Sequence, residues 1–198
     1  NGAASGDSII DEQKAIRLIR RAIDGGVTYL DTAYVYLDRT SETVLGKALR
    51  DGYRDRVTIA TKMPMEYVHN RAEMEALLDE ELKKLQTDHI DFYLMHGINR
   101  EKWEYFKSIG APEFFDDMKR AGKIRYKCFS FHGPYEEFEY ILNDCDWDMV
   151  QIQYNFMDVD NQAGTKGLEL AGRLGIPVVI MEGLLGGQLA KAPENVQA

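Results

Sequence analysis

Four residues in the first half of the chain could together move a proton. Asp31, Tyr36, Lys62 and His96 stand at or just beyond the ends of three successive apolar runs. A phenol with its ordinary pKa of about 10 is a poor proton donor at neutral pH unless neighbours tune it. A nearby ammonium favours the phenolate, and a carboxylate can hold that ammonium charged and oriented. A histidine can orient a carbonyl oxygen or share in the relay. Such a set suits protonation of an oxygen while hydride arrives at its carbon. Spacing does not show proximity, and each residue also has a plainer use. Asp31 could cap a loop, Tyr36 (like Tyr34) could be a packing aromatic, Lys62 could snorkel from its strand, and His96 could be a satisfied core histidine. Their recurrence at three successive strand ends is the stronger signal.

Those strand ends need a scaffold, and the pattern supplies one. Ala15, Ile16, Ile19, Ala22 and Ile23 mark one face of a helix over residues 12–24, which Gly25 and Gly26 stop. A short strand is expected over 27–30, a helix over 42–51, and a strand over 57–60. Asn70 and Glu73 have capping spacing before a helix that carries Met74, Leu77, Leu78, Leu82 and Leu85, with a strand over 90–94 behind it. A helix from about 112 to Gly122, a strand over 124–129, a helix over 135–143, a strand over 148–152, a helix over 163–174 and a strand over 178–180 complete the alternation. Repeated βα units with apolar runs imply a parallel sheet covered by helices. No G-x-G-x-x-G follows any strand, as a dinucleotide-binding doubly wound sheet would require. Polar residues follow the strands instead: Asp31, Lys62, His96, Ser130, Gln153 and Glu182. In a barrel these converge on one mouth. The expected fold is therefore α/β, a (β/α)8 TIM-type barrel of which about six βα units are present.

Bulk properties narrow the class. At 198 residues, with no Pro/Gly-rich linker, one domain over 1–198 is expected. A net charge of −9, with both signs interleaved, argues against a nucleic-acid surface. No apolar run is long enough to span a bilayer, so no membrane partner is expected and the default location is cytoplasmic. Cys128 and Cys145 are read as reduced thiols; two cysteines cannot hold an iron–sulfur cluster, and no metal site is expected.

The run from Gly26 to Tyr36 resembles the aldo-keto reductase signature, in which an aspartate precedes the catalytic tyrosine by five residues. Ser41–Leu49, Ile59–Lys62, Asp91–His96, Tyr154-Asn155, Gly175–Val178 and Gly186-Gly187 are similar to later segments of that family, in its order. The resemblance covers nearly the whole chain. It implies an NAD(P)H-dependent reductase of aldehydes or ketones, with Tyr36 as general acid/base, Asp31 and Lys62 tuning it, and His96 positioning the carbonyl. It also implies a nicotinamide cofactor, usually NADP with NAD as the alternative, across the barrel mouth. Asp31, Ser130, Gln151, Met181, Gly183 and Leu184 would contact it. Tyr67, Trp103 and Phe131 are candidates to line the pocket for a small carbonyl substrate, with Trp103 equally a candidate helix-packing aromatic.

The chain departs from the family pattern at three places. Phe131 and then His132 follow the serine where the family has asparagine; Met181 stands for a ring-stacking aromatic; Gly183 stands for a proline. These features are most similar to a microbial branch that often carries a ferredoxin-like C-terminal segment. A complete barrel takes about 250 residues. The first and eighth strands are not seen. Ends lying outside this chain, or a longer parent protein, are the expected reasons, ahead of a short form closed by pairing with a second chain. Two other functions stand beside the reductase: a non-catalytic binding or assembly subunit, and an electron-transfer oxidoreductase whose iron–sulfur domain lies beyond residue 198. Oligomeric state has no sequence signal.

Overall fold

Six strands alternate with helices in the computed structural model, which describes residues 11–190. They are β1 (Tyr29–Asp31), β2 (Thr58–Met63), β3 (Ile90–Ile98), β4 (Ile124–Phe131), β5 (Met149–Gln153) and β6 (Val178–Met181). The helices are α1 (Glu12–Asp24), α2 (Ser41–Ala48), α3 (Arg71–Leu85), α4 (Arg100–Ser108), α5 (Ala111–Arg120), α6 (Tyr135–Asn143) and α7 (Gly164–Arg173). All neighbouring strands are parallel, and the sheet order is the chain order. This is the expected incomplete barrel.

The sheet is strongly curled. Gln151 Nε2 on β5 donates to Asp31 Oδ2 on β1 at 3.1 Å, although β2, β3 and β4 lie between them in the sheet. In a flat sheet those two strands would be roughly 19 Å apart. Curling puts side chains of one parity inside the bowl. Ala60, Leu94, Cys128 and Met149 form an inner cluster, with Tyr29, Phe92 and Val179 packed against it. The larger core lies outside, between sheet and helices, and includes Trp103, Phe106, Phe114, Phe129 and Phe138. Cys128 is buried, Cys145 half-buried, and both thiols are free. No helix among the described residues is long and apolar enough to cross a membrane.

Helix boundaries follow local chemistry. Asp11 caps α1 through a hydrogen bond from Lys14 N, and Gly26 follows its end at φ +102°, where a side chain would be strained. Asn70 accepts from Glu73 N to cap α3, as its spacing suggested. Gly46 is required for close approach. A Cβ there would collide with the Lys84 carbonyl oxygen and lie 2.8 Å from the Leu85 carbonyl carbon, so α2 sits directly on the end of α3.

Two departures from the expected elements bear on the site. α4 was not anticipated; only Trp103 and Phe106 of its residues are buried. Its start is fixed by Asn99, whose Oδ1 accepts from Lys102 N at 2.9 Å. β3 also runs beyond its apolar core to Ile98, with a register shift between Met95 and Ile98. His96 therefore lies within the strand, near its carboxyl end.

The outer face of β2 and β3 carries a buried acidic cluster. Glu42 Oε1 accepts from Thr61 Oγ1 at 2.6 Å, and Lys84 Nζ lies 3.6 Å from Glu42 Oε2. Glu81 is fully buried, and neither of its carboxyl oxygens has a hydrogen-bond partner. Burial, and then the Glu42 carboxylate, hold the Glu81 carboxyl well above the usual carboxylate range. The unfolded chain loses this proton near the ordinary value while the folded chain keeps it. Folding therefore loses stability from this group as pH rises above that value. Glu81→Gln keeps the shape and stays neutral at every pH. Its gain in urea midpoint over the parent should be larger at about pH 8 than at about pH 4. Equal gains at both pH values would show that Glu81 is not folded with its proton.

Candidate active site

The mouth of the bowl is built from the carboxyl ends of the strands. Lys62 is 1% exposed, and its Nζ donates to Asp31 Oδ1 at 2.5 Å and to the Thr32 carbonyl at 2.7 Å. Its aliphatic stem is inside the bowl because β2 alternates Ala60 and Lys62 inward with Thr61 outward. Burial pulls the Lys62 ammonium below the ordinary lysine range, while Asp31 opposes that shift. Both Asp31 carboxylate oxygens are engaged, one by Lys62 and the other by Gln151. The carboxylate is thereby fixed in rotation as well as position.

Tyr36 lies above this pair. Lys62 Nζ is 4.9 Å from the centre of its ring, and the His96 ring meets it edge-on with centroids 5.7 Å apart. Tyr36 is 39% exposed, and its hydroxyl makes no protein hydrogen bond among the described residues. Burial first, and then the Asp31 charge, push its pKa up to about 12. His96 moves the other way. Burial, Lys62 and then Lys102 take it down to about 4, so the imidazole is neutral near pH 7.

The loop carrying Tyr36 is held in an unusual conformation. Leu37, Asp38 and Arg39 all have positive φ (51°, 51° and 66°), a region that side chains seldom occupy. Arg39 clamps the loop to α3. It lies over the Tyr34 ring at 4.4 Å and pairs with Glu80 at 2.9 Å.

Ser130 and Gln151 are register partners on β4 and β5, side by side inside the bowl. Ser130 Oγ accepts from Gly97 N at 2.7 Å and keeps its own proton to donate. Gln151 Oε1 is buried without a hydrogen-bond partner. Together they offer one donor and one acceptor, which is what a primary carboxamide needs. Met181 ends β6 opposite Gln153, and Gly183 and Leu184 follow it in a turn. Positive φ at Glu182, Leu185, Gly186 and Gly187 shapes that turn and the segment after it.

Two of the expected pocket residues are elsewhere. Phe131 is fully buried outside the sheet against Phe129 and Phe138, because Ser130 points inward and its neighbour must point out. Trp103 is also fully buried. It packs on Trp147 and donates Nε1–H to Asp144 at 2.8 Å, a helix-anchoring role. Tyr67 does line the cavity at the mouth. Sequence reasoning missed Glu66, Asn99, Lys102 and Gln162, which share that lining. Their available signal was position, since each lies in the segment that follows a strand.

The Aldo/keto reductase family profile matches residues 1–197. The Aldo-keto reductase YhdN of Bacillus subtilis is 40% identical over 123 residues, covering 58% of this chain and 36% of that protein. The uncharacterized oxidoreductase YrpG of the same organism is 29% identical, over 92% of this chain and 62% of its own length. Among solved structures, an aldo/keto reductase from Klebsiella pneumoniae in complex with NADP and acetate superposes with a TM-score of 0.77 at 25% identity. That match covers 98% of this chain and 65% of the other. The chain thus spans less than two thirds of the length of these relatives.

Proposed function

This chain belongs to the aldo/keto reductase family, and on that footing we propose that its mouth carries out the proton-transfer half of an NADPH-linked reduction of an aldehyde or ketone. The observation that carries the reading is the buried Lys62 ammonium paired with the more exposed Asp31 carboxylate at 2.5 Å, with the Tyr36 ring and the His96 ring beside them.

The proposed steps follow from the geometry. The substrate carbonyl oxygen sits between the Tyr36 hydroxyl and the neutral His96 ring, each giving one hydrogen bond. Because Tyr36 is held protonated, it keeps its proton until the oxygen becomes alkoxide-like and basic enough to take it. The resulting phenolate is stabilised by Lys62, whose charge Asp31 supports. The Ser130 hydroxyl and Gln151 Oε1 would hold a nicotinamide carboxamide, and Met181, Gly183 and Leu184 would supply further contacts to the cofactor. The cofactor, when bound, supplies the hydride.

Titrating the protein with NADPH and with NADH, then following NADPH consumption with a series of carbonyl compounds, tests this reading. Saturable binding and stoichiometric alcohol formation are expected. Absence of any nicotinamide nucleotide binding would overturn it.

A further inference from the structure

The three left-handed residues after Tyr36 are an expensive way to build a turn. A Cβ is crowded at φ of 51°, 51° and 66°, and the cost recurs at Leu37, at Asp38 and at Arg39. Leu37 recovers nothing by burial, since it is 58% exposed. Thr40 N and Oγ1 donate to the Leu37 carbonyl, and Ser41 N donates to the Tyr36 carbonyl. Those bonds close the turn without relieving the crowding. Such a run persists where surrounding structure holds it.

Arg39 supplies the hold. A lone exposed ion pair would contribute little. Arg39 does more than pair with Glu80 Oε1 at 2.9 Å. Its guanidinium also donates to the Tyr34 hydroxyl and lies over the Tyr34 and Tyr67 rings, at 4.4 and 5.6 Å from their centres. The anchor is itself fixed. Tyr34 is buried, its hydroxyl donates to Glu80 Oε2 at 3.0 Å, and Lys84 Nζ lies 3.0 Å from Glu80 Oε1. By contrast, the Tyr36 ring leans on Lys62 and His96 through a face and an edge. Where its hydroxyl sits therefore depends on the backbone that runs into the turn.

Resting on the reductase reading, we propose that Arg39 is a positioning residue: it holds the left-handed turn, and the turn aims the Tyr36 hydroxyl at the substrate oxygen. Arg39→Met removes the guanidinium and keeps the stem. Leu37→Gly with Asp38→Gly removes the crowding and leaves the turn accessible. In Arg39→Met, kcat should fall about thirtyfold, within the loss that a misplacement of about an ångström produces, while NADPH affinity stays within about twofold. The glycine pair alone should change kcat by less than about threefold, and added to Arg39→Met it should recover most of the loss. A purely structural Arg39 predicts the opposite, because two glycines loosen a weakened fold further. A second readout needs no turnover. His96 is one of four histidines, and its ring protons feel the ring current of Tyr36. Their NMR shift in Arg39→Met should move toward the value found in Tyr36→Leu, and return when the glycine pair is added. A parent protein that reduces no carbonyl would count against the reductase reading, and the His96 shift would still decide the role of Arg39 in placing Tyr36. An unmoved His96 shift in Arg39→Met, or no recovery with the glycines, would overturn the proposal.

Discussion

Tyr36→Phe is expected to lower kcat for carbonyl reduction by about a thousandfold, in the range that a positioned general acid contributes. Loss of the hydroxyl removes the only group beside the Asp31–Lys62 pair that we assign as proton donor, leaving His96 as a hydrogen-bond donor alone. The ring itself is preserved, and with it the edge-on contact to His96 and the Lys62 ammonium 4.9 Å from the ring centre. Thermal midpoint and NADPH affinity should therefore stay within about twofold or a degree or two of the parent. The contrast separates proton donation from packing. Steady-state kinetics beside a thermal melt would check it, and unchanged turnover would remove Tyr36 from the role. A pH profile adds a signature. Protonation of His96 should remove activity as pH falls toward about 4, since the imidazolium would meet the nearby Lys62 and Lys102 charges.

The largest stability loss is expected far from the mouth, at the opposite end of β3. Asp91 is 1% exposed, and its Oδ2 accepts from Arg54 Nη2 and from Ile59 N, both at 2.9 Å. Arg125 Nη1 lies 2.9 Å from Oδ1, an ion pair without hydrogen-bond alignment. Arg54 in turn donates to the Val57 and His89 carbonyls and to Thr87 Oγ1. This hub joins β2, β3, β4 and the turns between them. Asp91→Ala would leave a largely buried guanidinium and a strand N–H without their acceptor, at a cost of about 3–5 kcal/mol. Chemical denaturation should show the midpoint fall with little change in slope. Adding Arg54→Met should restore part of the loss, because the uncompensated charge goes with it. A double variant no better than the single one would mean that the cost lies in the backbone contact to Ile59.

Most of the architecture was legible because it depends on local pattern. Apolar runs, glycines after helices and the Asn70 cap each act within a few residues, and the six strands emerged in their observed order. Asp31, Lys62, His96 and Ser130 were legible for a related reason: polar residues ending apolar strands have few other places to go. Features that depend on distant partners were not. The Gln151–Asp31 bond joins residues 120 apart, and no periodicity announces it. Asp91 read as one residue of a strand, since its guanidinium partners are fixed only by sheet register. Phe131 was misplaced because it was judged by type beside the site. Its parity with Ser130 on the same strand already required it to face the helices. Among the described residues α4 is the one helix not anticipated; of its residues only Trp103 and Phe106 are buried.

The two bonds to Asp31 also differ in when they can exist. The Lys62 contact needs only neighbouring strands, and a chain folded through β2 could already make it. The Gln151 contact waits until three further strands have joined and bent the sheet round to meet the first. The carboxylate is thus held by one partner 31 residues away on the neighbouring strand and another 120 residues away across the bowl. A partly assembled sheet would own the proton-holding pair without the geometry to aim it.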